Sequence, residues 1–251
     1  MSKPTISTAV LAACLLVLAS VAQAAEIRVL ASNGIKAAME ALEPQFERAS
    51  GDTLTIEFST AARLKQRIES GAAFDVAILT DEVVNDLIKS GKLAPATRAE
   101  LAALGIGVGF RKGTAKPDVR TVAAIKQALQ KATSIAYTRD GARRPAIDKM
   151  IASLGVAHDL ESKSHLVAAG QAPTSVAKGE SELVLTLISE ILPEEGVELA
   201  GPLPSEFQAY LGFAAASGTK TGNTPAAQAL IKFLDGPSAI AVCKAKGMEA
   251  R

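Results

Sequence analysis

The chain has 251 residues, 48% of them apolar and only 4% aromatic, with no tryptophan, so a core built on aliphatic packing can support one large unit or two small ones. Twenty-seven Lys and Arg balance 26 Asp and Glu, and no basic patch or acidic tail stands out, which argues against nucleic acid and anionic membrane as partners. With two histidines, one cysteine beyond residue 14, and no Cys/His cluster, Gly-rich phosphate loop or G-x-S-x-G elbow, the sequence gives no sign of a metal, a cofactor or a local catalytic motif.

The first segment reads as an address. Lys3 precedes an apolar run from Ala9 to Val21, and Ala22 and Ala24 form a small-x-small cleavage pattern. Residues 1–24 are therefore expected to be a secretory signal peptide, too short for a spanning helix, and the mature chain to be periplasmic. Leu11-Ala12-Ala13-Cys14 offers a lipid anchor at Cys14 as the rival reading. The ordinary signal fits better, because a lipidated Cys14 would leave Leu15-Leu16-Val17-Leu18 as an apolar mature terminus.

Beyond it, Glu26 to Ala31 reads as a strand and Ser32-Asn33-Gly34 as a turn. Ile35, Ala38, Met39, Leu42 and Phe46 recur at helical spacing, with Pro44 expected to bend that helix. A strand at Thr53–Phe58, a helix around Leu64 and Ile68, a buried strand at Val76–Leu79 and a helix capped by Asp81 follow. This β-α-β-α-β-α order predicts a right-handed, doubly wound α/β lobe. A second α/β pattern comes next. It has strands at Gly105–Arg111, Ser134–Thr138, Leu183–Leu187, Val197–Ala200 and Phe207–Ala216, and helices at Val122–Leu129, from Pro145 to Leu154, and at Thr174–Lys178. Two helices, Pro225–Leu234 and Ser238–Lys246, end the chain, with Thr224 as the cap before Pro225. No flexible linker divides the patterns, so two lobes joined by crossing strands are expected.

Three segments carry a family resemblance: Ala31-Ser32-Asn33-Gly34, the stretch Ile68-Glu69-Ser70-Gly71-Ala72-Ala73-Phe74-Asp75-Val76-Ala77, and Phe233-Leu234-Asp235-Gly236-Pro237-Ser238-Ala239. The chain resembles the periplasmic solute-binding proteins of ABC importers, in the branch that includes molybdate-binding proteins. The resemblance implies a type II periplasmic binding protein: two doubly wound α/β lobes joined by hinge strands, monomeric, closing on a small anion and presenting it to the importer's membrane subunits. Residues 25–106 with 212–251 would form lobe one and 107–211 lobe two. Gly105–Arg111 would cross into lobe two and Phe207–Phe213 return.

Helix N-termini aimed at such a cleft favour an anion. Candidate ends are Ser32-Asn33-Gly34, Ser59-Thr60-Ala61, Gly141-Ala142-Arg143 and Gly170-Gln171. Ser32 matches the family's first ligand-binding serine, and is equally a plain helix cap. Thr60 matches a hydroxyl of the second loop, but Ala61 stands where the binding serine is usual, and Arg63 where a small or hydroxylated residue is common. Arg143 falls where the family uses a backbone N–H. Arg139, Arg143 and Arg144 are candidates for gripping a carboxylate, with surface pairing to Asp140 or Asp148 as the alternative. Leu187 occupies the family's tyrosine position. Tyr210 could offer a hydroxyl near the hinge, while Tyr137 is expected in the core and His158 and His165 on the surface. A lost serine and tyrosine, with arginines gained, lean the expectation slightly towards a small organic carboxylate over molybdate or tungstate. An exported hydrolase would need a nucleophile with its base, or a carboxylate pair, and neither shows; the expectation is a binding protein, not an enzyme.

Overall fold

The computed structural model describes residues 24–141 and 143–250; the expected signal segment up to residue 23, with Cys14, lies outside the described residues, as does Ala142. The chain forms two mixed sheets, each covered by helices on both faces. The first begins with β1 (Glu26–Ser32), α1 (Lys36–Ser50), β2 (Thr53–Ser59), α2 (Ala61–Glu69), β3 (Val76–Thr80), α3 (Asp81–Lys89) and β4 (Ala99–Leu104). The second contains β5 (Ile106–Arg111), α4 (Val122–Lys131), β6 (Ile135–Thr138), α5 (Arg144–Leu154), α6 (Ala157–Leu160), β7 (Ser164–Val167), α7 (Ala172–Ala177), β8 (Leu183–Leu187), α8 (Ile188–Ile191) and β9 (Val197–Pro202). The chain then returns to the first sheet through β10 (Leu211–Ser217), α9 (Thr224–Leu234), α10 (Pro237–Ala245) and β11 (Glu249–Ala250).

Strand order is β11-β4-β10-β3-β1-β2 in the first sheet and β7-β6-β8-β5-β9 in the second. The β-α-β portions pair in parallel, β1 with β2 and β3, and β6 with β7 and β8. The crossing strands pair antiparallel, β10 with β3 and β4, and β5 with β8 and β9. The sheets change over at Gly105, since Leu104 pairs with Leu211 in one and Ile106 with Leu187 in the other. The second crossing occupies residues 203–210.

Side-chain alternation sorts each strand between two apolar layers. In β3, Val76 and Ile78 face Met39, Leu42 and Phe46 of α1, and the intervening Ala77 and Leu79 pack with Leu64 of α2 and Val84 and Leu87 of α3. In the second lobe, Ile135 and Tyr137 join Ile125 of α4 and Ile147 and Met150 of α5, while Ala136 and Val184 pack with Val176 of α7 and Ile191 of α8. At the start of β3, fully buried Asp75 accepts hydrogen bonds from the Arg28 backbone N–H (2.8 Å) and Thr221 Oγ1 (2.6 Å), tying β3 to β1 and to the segment after β10.

Helix α1 contains Pro44 and is continuous through it. Several local expectations shift. Thr80, not Asp81, occupies the cap position of α3, and Asn223, not Thr224, that of α9. Residues 207–210 lie outside strands, so the return strand begins at Leu211 rather than Phe207. Strands β4, β7 and β11 went unread in the sequence.

Candidate ligand-binding site

Parallel strands point their C-terminal ends, and the helix N-termini that follow, at one region, and in open α/β sheets that is where ligands sit. Here β1, β2, β6 and β8 end around a cavity between the lobes that holds about 530 Å³ of space, its open mouth included. From the first lobe, Ser32, Asn33 and Gly34 line it after β1, and Thr60 and Ala61 after β2. From the second come Thr138, Gly141, Arg143 and Arg144, then Ala169 and Gly170, then Thr186, Leu187 and Glu190. Its floor is apolar: Ile147, Leu185, Leu187, Leu211 and Phe213. The lobes meet closely beneath. A Cβ on Gly34 would lie 2.8 Å from both Leu187 Cδ1 and Phe213 Cζ, and buried Ser189 Oγ donates to Gly34 O at 2.8 Å.

Ser32 and Arg143 line this cavity, and each carries a polar hydrogen without an acceptor among the described residues. Ser32 is 6% exposed, yet its hydroxyl neither caps the following turn nor makes another hydrogen bond. Arg143 is half-buried. Its Nη1 donates to Ala209 O at 3.3 Å, while its Nε is shielded from solvent with no acceptor at all. Burial holds this guanidinium below its ordinary pKa, against an opposing pull from Glu82, but arginine stays charged. An orphaned, charged N–H is costly, and an anion in the cavity would relieve it.

Arg144 is more committed. It lines the cavity but its Nε donates to Asp148 at 2.7 Å, and its guanidinium stacks 4.7 Å above the Tyr137 ring. Thr60 caps α2, its Oγ1 accepting from the Arg63 backbone N–H at 3.3 Å, so its hydroxyl can still donate into the cavity. Arg139 lies outside the cavity lining, its Nη2 donating to Leu166 O.

A wider groove adjoins the cavity and shares Asn33, Ala169, Gly170 and Glu190 with it. Ser59, Arg63 and Gln171 line this groove rather than the cavity. The exposed Arg63 side chain pairs across the lobes: its Nε meets Asp140 Oδ2 of the second lobe at 2.9 Å. Tyr210 lines neither space. It is 55% exposed, and a hydrogen bond to Glu249 raises its pKa. Tyr137 is core, its hydroxyl donating to Ser164 Oγ at 2.7 Å. His158 is exposed beside Glu161, and exposed His165 meets Ser181 Oγ at 3.0 Å.

Glu190, Thr186 and Thr138 are cavity residues that sequence reading missed. A signal for Glu190 existed: it is the one charged residue in the apolar run Leu183–Leu192. Among the described residues, no group of three or more His, Cys, Asp and Glu could hold a metal ion, and no helix is long and apolar enough to cross a membrane.

The sequence profile of the bacterial extracellular solute-binding proteins matches residues 27–249. The chain belongs to that family. Two relatives extend the comparison to nearly full length. A molybdate-binding protein, ModA, of Azotobacter vinelandii is 29% identical over 92% of this chain and 92% of its own. An aconitate isomerase of a Pseudomonas species is 26% identical over 89% of this chain and 87% of its own. The fold of the A. vinelandii periplasmic molybdate-binding protein superposes with a TM-score of 0.77 over 90% of this chain and 99% of that one, at 20% identity. This is thus a two-lobed solute-binding protein of the ABC-importer type, similar to the molybdate-binding proteins.

Proposed function

We propose that this solute-binding protein captures a small organic carboxylate between its lobes and presents it to the membrane subunits of an ABC importer. It would act in the periplasm as a monomer, after removal of residues 1–24. The observation that carries the ligand class is a buried Arg143 Nε without an acceptor and a free Ser32 hydroxyl on residues that line one cavity, together with leucines and Phe213. With Nη1 engaged by Ala209, the edge formed by Nε and Nη2 remains, and that edge pairs with a carboxylate by two parallel bonds. The apolar floor suits a carbon skeleton, which a bare oxyanion lacks. The Pseudomonas relative, an aconitate isomerase, is named for a tricarboxylate, which agrees with this class.

Capture would proceed by closure about Gly105 and residues 203–210, because a ligand touching both lobes favours the state in which both can reach it. Binding without turnover is the reading we adopt: among the described residues no pair of carboxylates lines the cavity, and the hydroxyl that meets a carboxylate there, Thr186, donates to Glu190 from within a strand rather than from a nucleophile turn.

Molybdate or tungstate is the second reading, favoured by the 29% identical relative and by the retained Ser32 and Thr60. Against it, Ala61 and Leu187 supply no hydroxyl where the family commonly does, and a tetrahedral oxyanion is held by a fully satisfied cage of neutral donors. Isothermal titration of ligand-free protein with molybdate, tungstate, sulfate, phosphate and small di- and tricarboxylates separates the readings. Binding of a carboxylate and not of molybdate is expected; tight binding of molybdate or tungstate alone overturns the carboxylate reading.

A further inference from the structure

Of the carboxylates around the site, Glu190 alone lines both the cavity and the outer groove. Its Oε2 accepts a hydrogen bond from Thr186 Oγ1, and among the described residues its Oε1 has no hydrogen-bond partner and no Lys or Arg pairs with it. The charged groups facing the same spaces are Lys36 and Glu40 of α1, Arg63 of α2, Arg143 and Arg144 of α5, and Glu194 beyond α8. All but Arg143 are engaged by a side chain. Lys36 lies 3.6 Å from Glu40, Arg63 pairs with Asp140, Arg144 with Asp148, and Glu194 accepts from Thr174 Oγ1 at 3.0 Å. Arg143 donates to Ala209 O through one Nη but, among the described residues, has no ion-pair partner, and it is the cation left for the ligand.

An ionised Glu190 would stand against a bound anion across leucine and alanine walls, where repulsion is poorly screened. A neutral carboxylic acid in the same place removes that repulsion and adds a donor. Desolvation pushes the Glu190 carboxyl up from its ordinary pKa, with the Thr186 hydrogen bond pulling it back only in part. We propose that Glu190 contacts the ligand as a neutral acid, its O–H donating to a ligand oxygen, so that the cavity selects anions able to accept that bond and, wherever free Glu190 is ionised, takes up one proton with each. This rests on the reading that the cavity is an anion site. The proton comes from solvent to Oε1 and stays there while the ligand is bound; no covalent bond of the ligand breaks.

The consequence is directional. Affinity is greatest at low pH and falls, towards tenfold per pH unit, above the Glu190 pKa in the free protein, since ligand binding must then supply the protonation. Neither histidine lines the cavity or groove, so neither accounts for such a response.

The test is isothermal titration of the intact mature protein with trans-aconitate and with molybdate, across the pH range in which both probes are fully ionised, in paired buffers of different protonation enthalpy. Proton uptake that rises towards one per ligand as pH increases, in step with falling affinity, is expected. Glu190→Gln, whose amide donates at every pH, should bind with a flat profile and no proton uptake. Thr186→Val removes the hydrogen bond that favours the ionised form and should move the fall to higher pH; it serves if the Gln variant does not fold. A flat wild-type profile, or proton uptake that persists in Glu190→Gln, overturns the proposal while leaving the anion site standing. Failure of both probes and of the whole carboxylate and oxyanion panel to bind at any pH overturns the anion site and this proposal together.

Discussion

Arg63 Nε and Asp140 Oδ2, 2.9 Å apart, join the two lobes across the mouth of the cleft. Arg63 stands in the first turn of α2 and Asp140 in the loop between β6 and α5, so the pair exists only while the lobes are together. Both side chains are exposed, at 60% and 36%, and an exposed pair contributes little to folding, about 0.5 kcal/mol. Its effect should instead appear in opening. Arg63→Ala and Asp140→Ala should each speed ligand release up to a few-fold, with no further change in the double variant, and high salt should mimic them. Stopped-flow release rates check this; additive effects of the two substitutions would mean that the pair does not act as a unit.

Arg143 and Ser32 each present a free donor on the cavity lining, so their removal should weaken capture unequally. Loss of a charge-assisted contact by Arg143→Ala is expected to lower affinity by about tenfold to a hundredfold. Arg143→Lys should recover only part of it, because an ammonium cannot form the two parallel bonds. Ser32→Ala, losing one neutral hydrogen bond, should cost nearer tenfold. Titration calorimetry, with melting curves to confirm folding, measures both.

Gly34 is where the lobes press together. Alanine there would force its Cβ within 2.8 Å of Leu187 and Phe213. Overpacking of this kind costs about 1–3 kcal/mol, and here the strain also falls on the cavity floor. Gly34→Ala should therefore lower both the melting temperature and ligand affinity, whereas Gly51→Ala, at a left-handed helix end with open space around it, should lower stability alone. Thermal unfolding and titration of the two variants check the contrast.

Asp75 and Glu190 carry opposite pH dependences. Burial works against ionised Asp75, but hydrogen bonds from Thr221 and from the Arg28 backbone, with the Arg28 charge, outweigh it and lower its pKa. Its stabilisation is present above the ordinary aspartate pKa and lost as pH falls through the depressed value. Glu190, with its pKa raised by desolvation, favours the folded state below the ordinary glutamate pKa, and that contribution is lost as pH rises through its raised value. In urea unfolding against pH, Asp75→Asn should therefore remove part of the acid-side loss, and Glu190→Gln part of the decline on the other side. Asp75→Ala, which strands the buried Arg28 N–H, should cost about 3 kcal/mol near neutrality.

The doubly wound order was legible because β1, β2, β3, β6 and β8 carry clean apolar or alternating patterns between Gly- and Ser-rich turns. Strand β4 was not. Ala99-Glu100-Leu101-Ala102-Ala103-Leu104 is made of helix formers, and it is extended only because β10 and β11 pair on either side of it. Strand β7 is a short edge with little burial to mark it. Ser32, Asn33, Thr60, Arg143 and Arg144, expected at the site, line the cavity because loops after parallel strands converge by topology. Tyr210 misled because hydroxyl chemistry says nothing about direction, and it points to Glu249. Arg63 drew notice as a departure from a family pattern, but its partner lies 77 residues away, beyond any local rule.

The most direct measurement is a crystal structure of the protein with its tightest-binding carboxylate. The expected result is one carboxylate oxygen within hydrogen-bond reach of Arg143 Nε and another group of the ligand on the Ser32 hydroxyl, with the carbon chain over Leu187 and Phe213. A tetrahedral oxyanion held by Ser32, Thr60 and backbone N–H groups, with Arg143 Nε still lacking an acceptor, would contradict it.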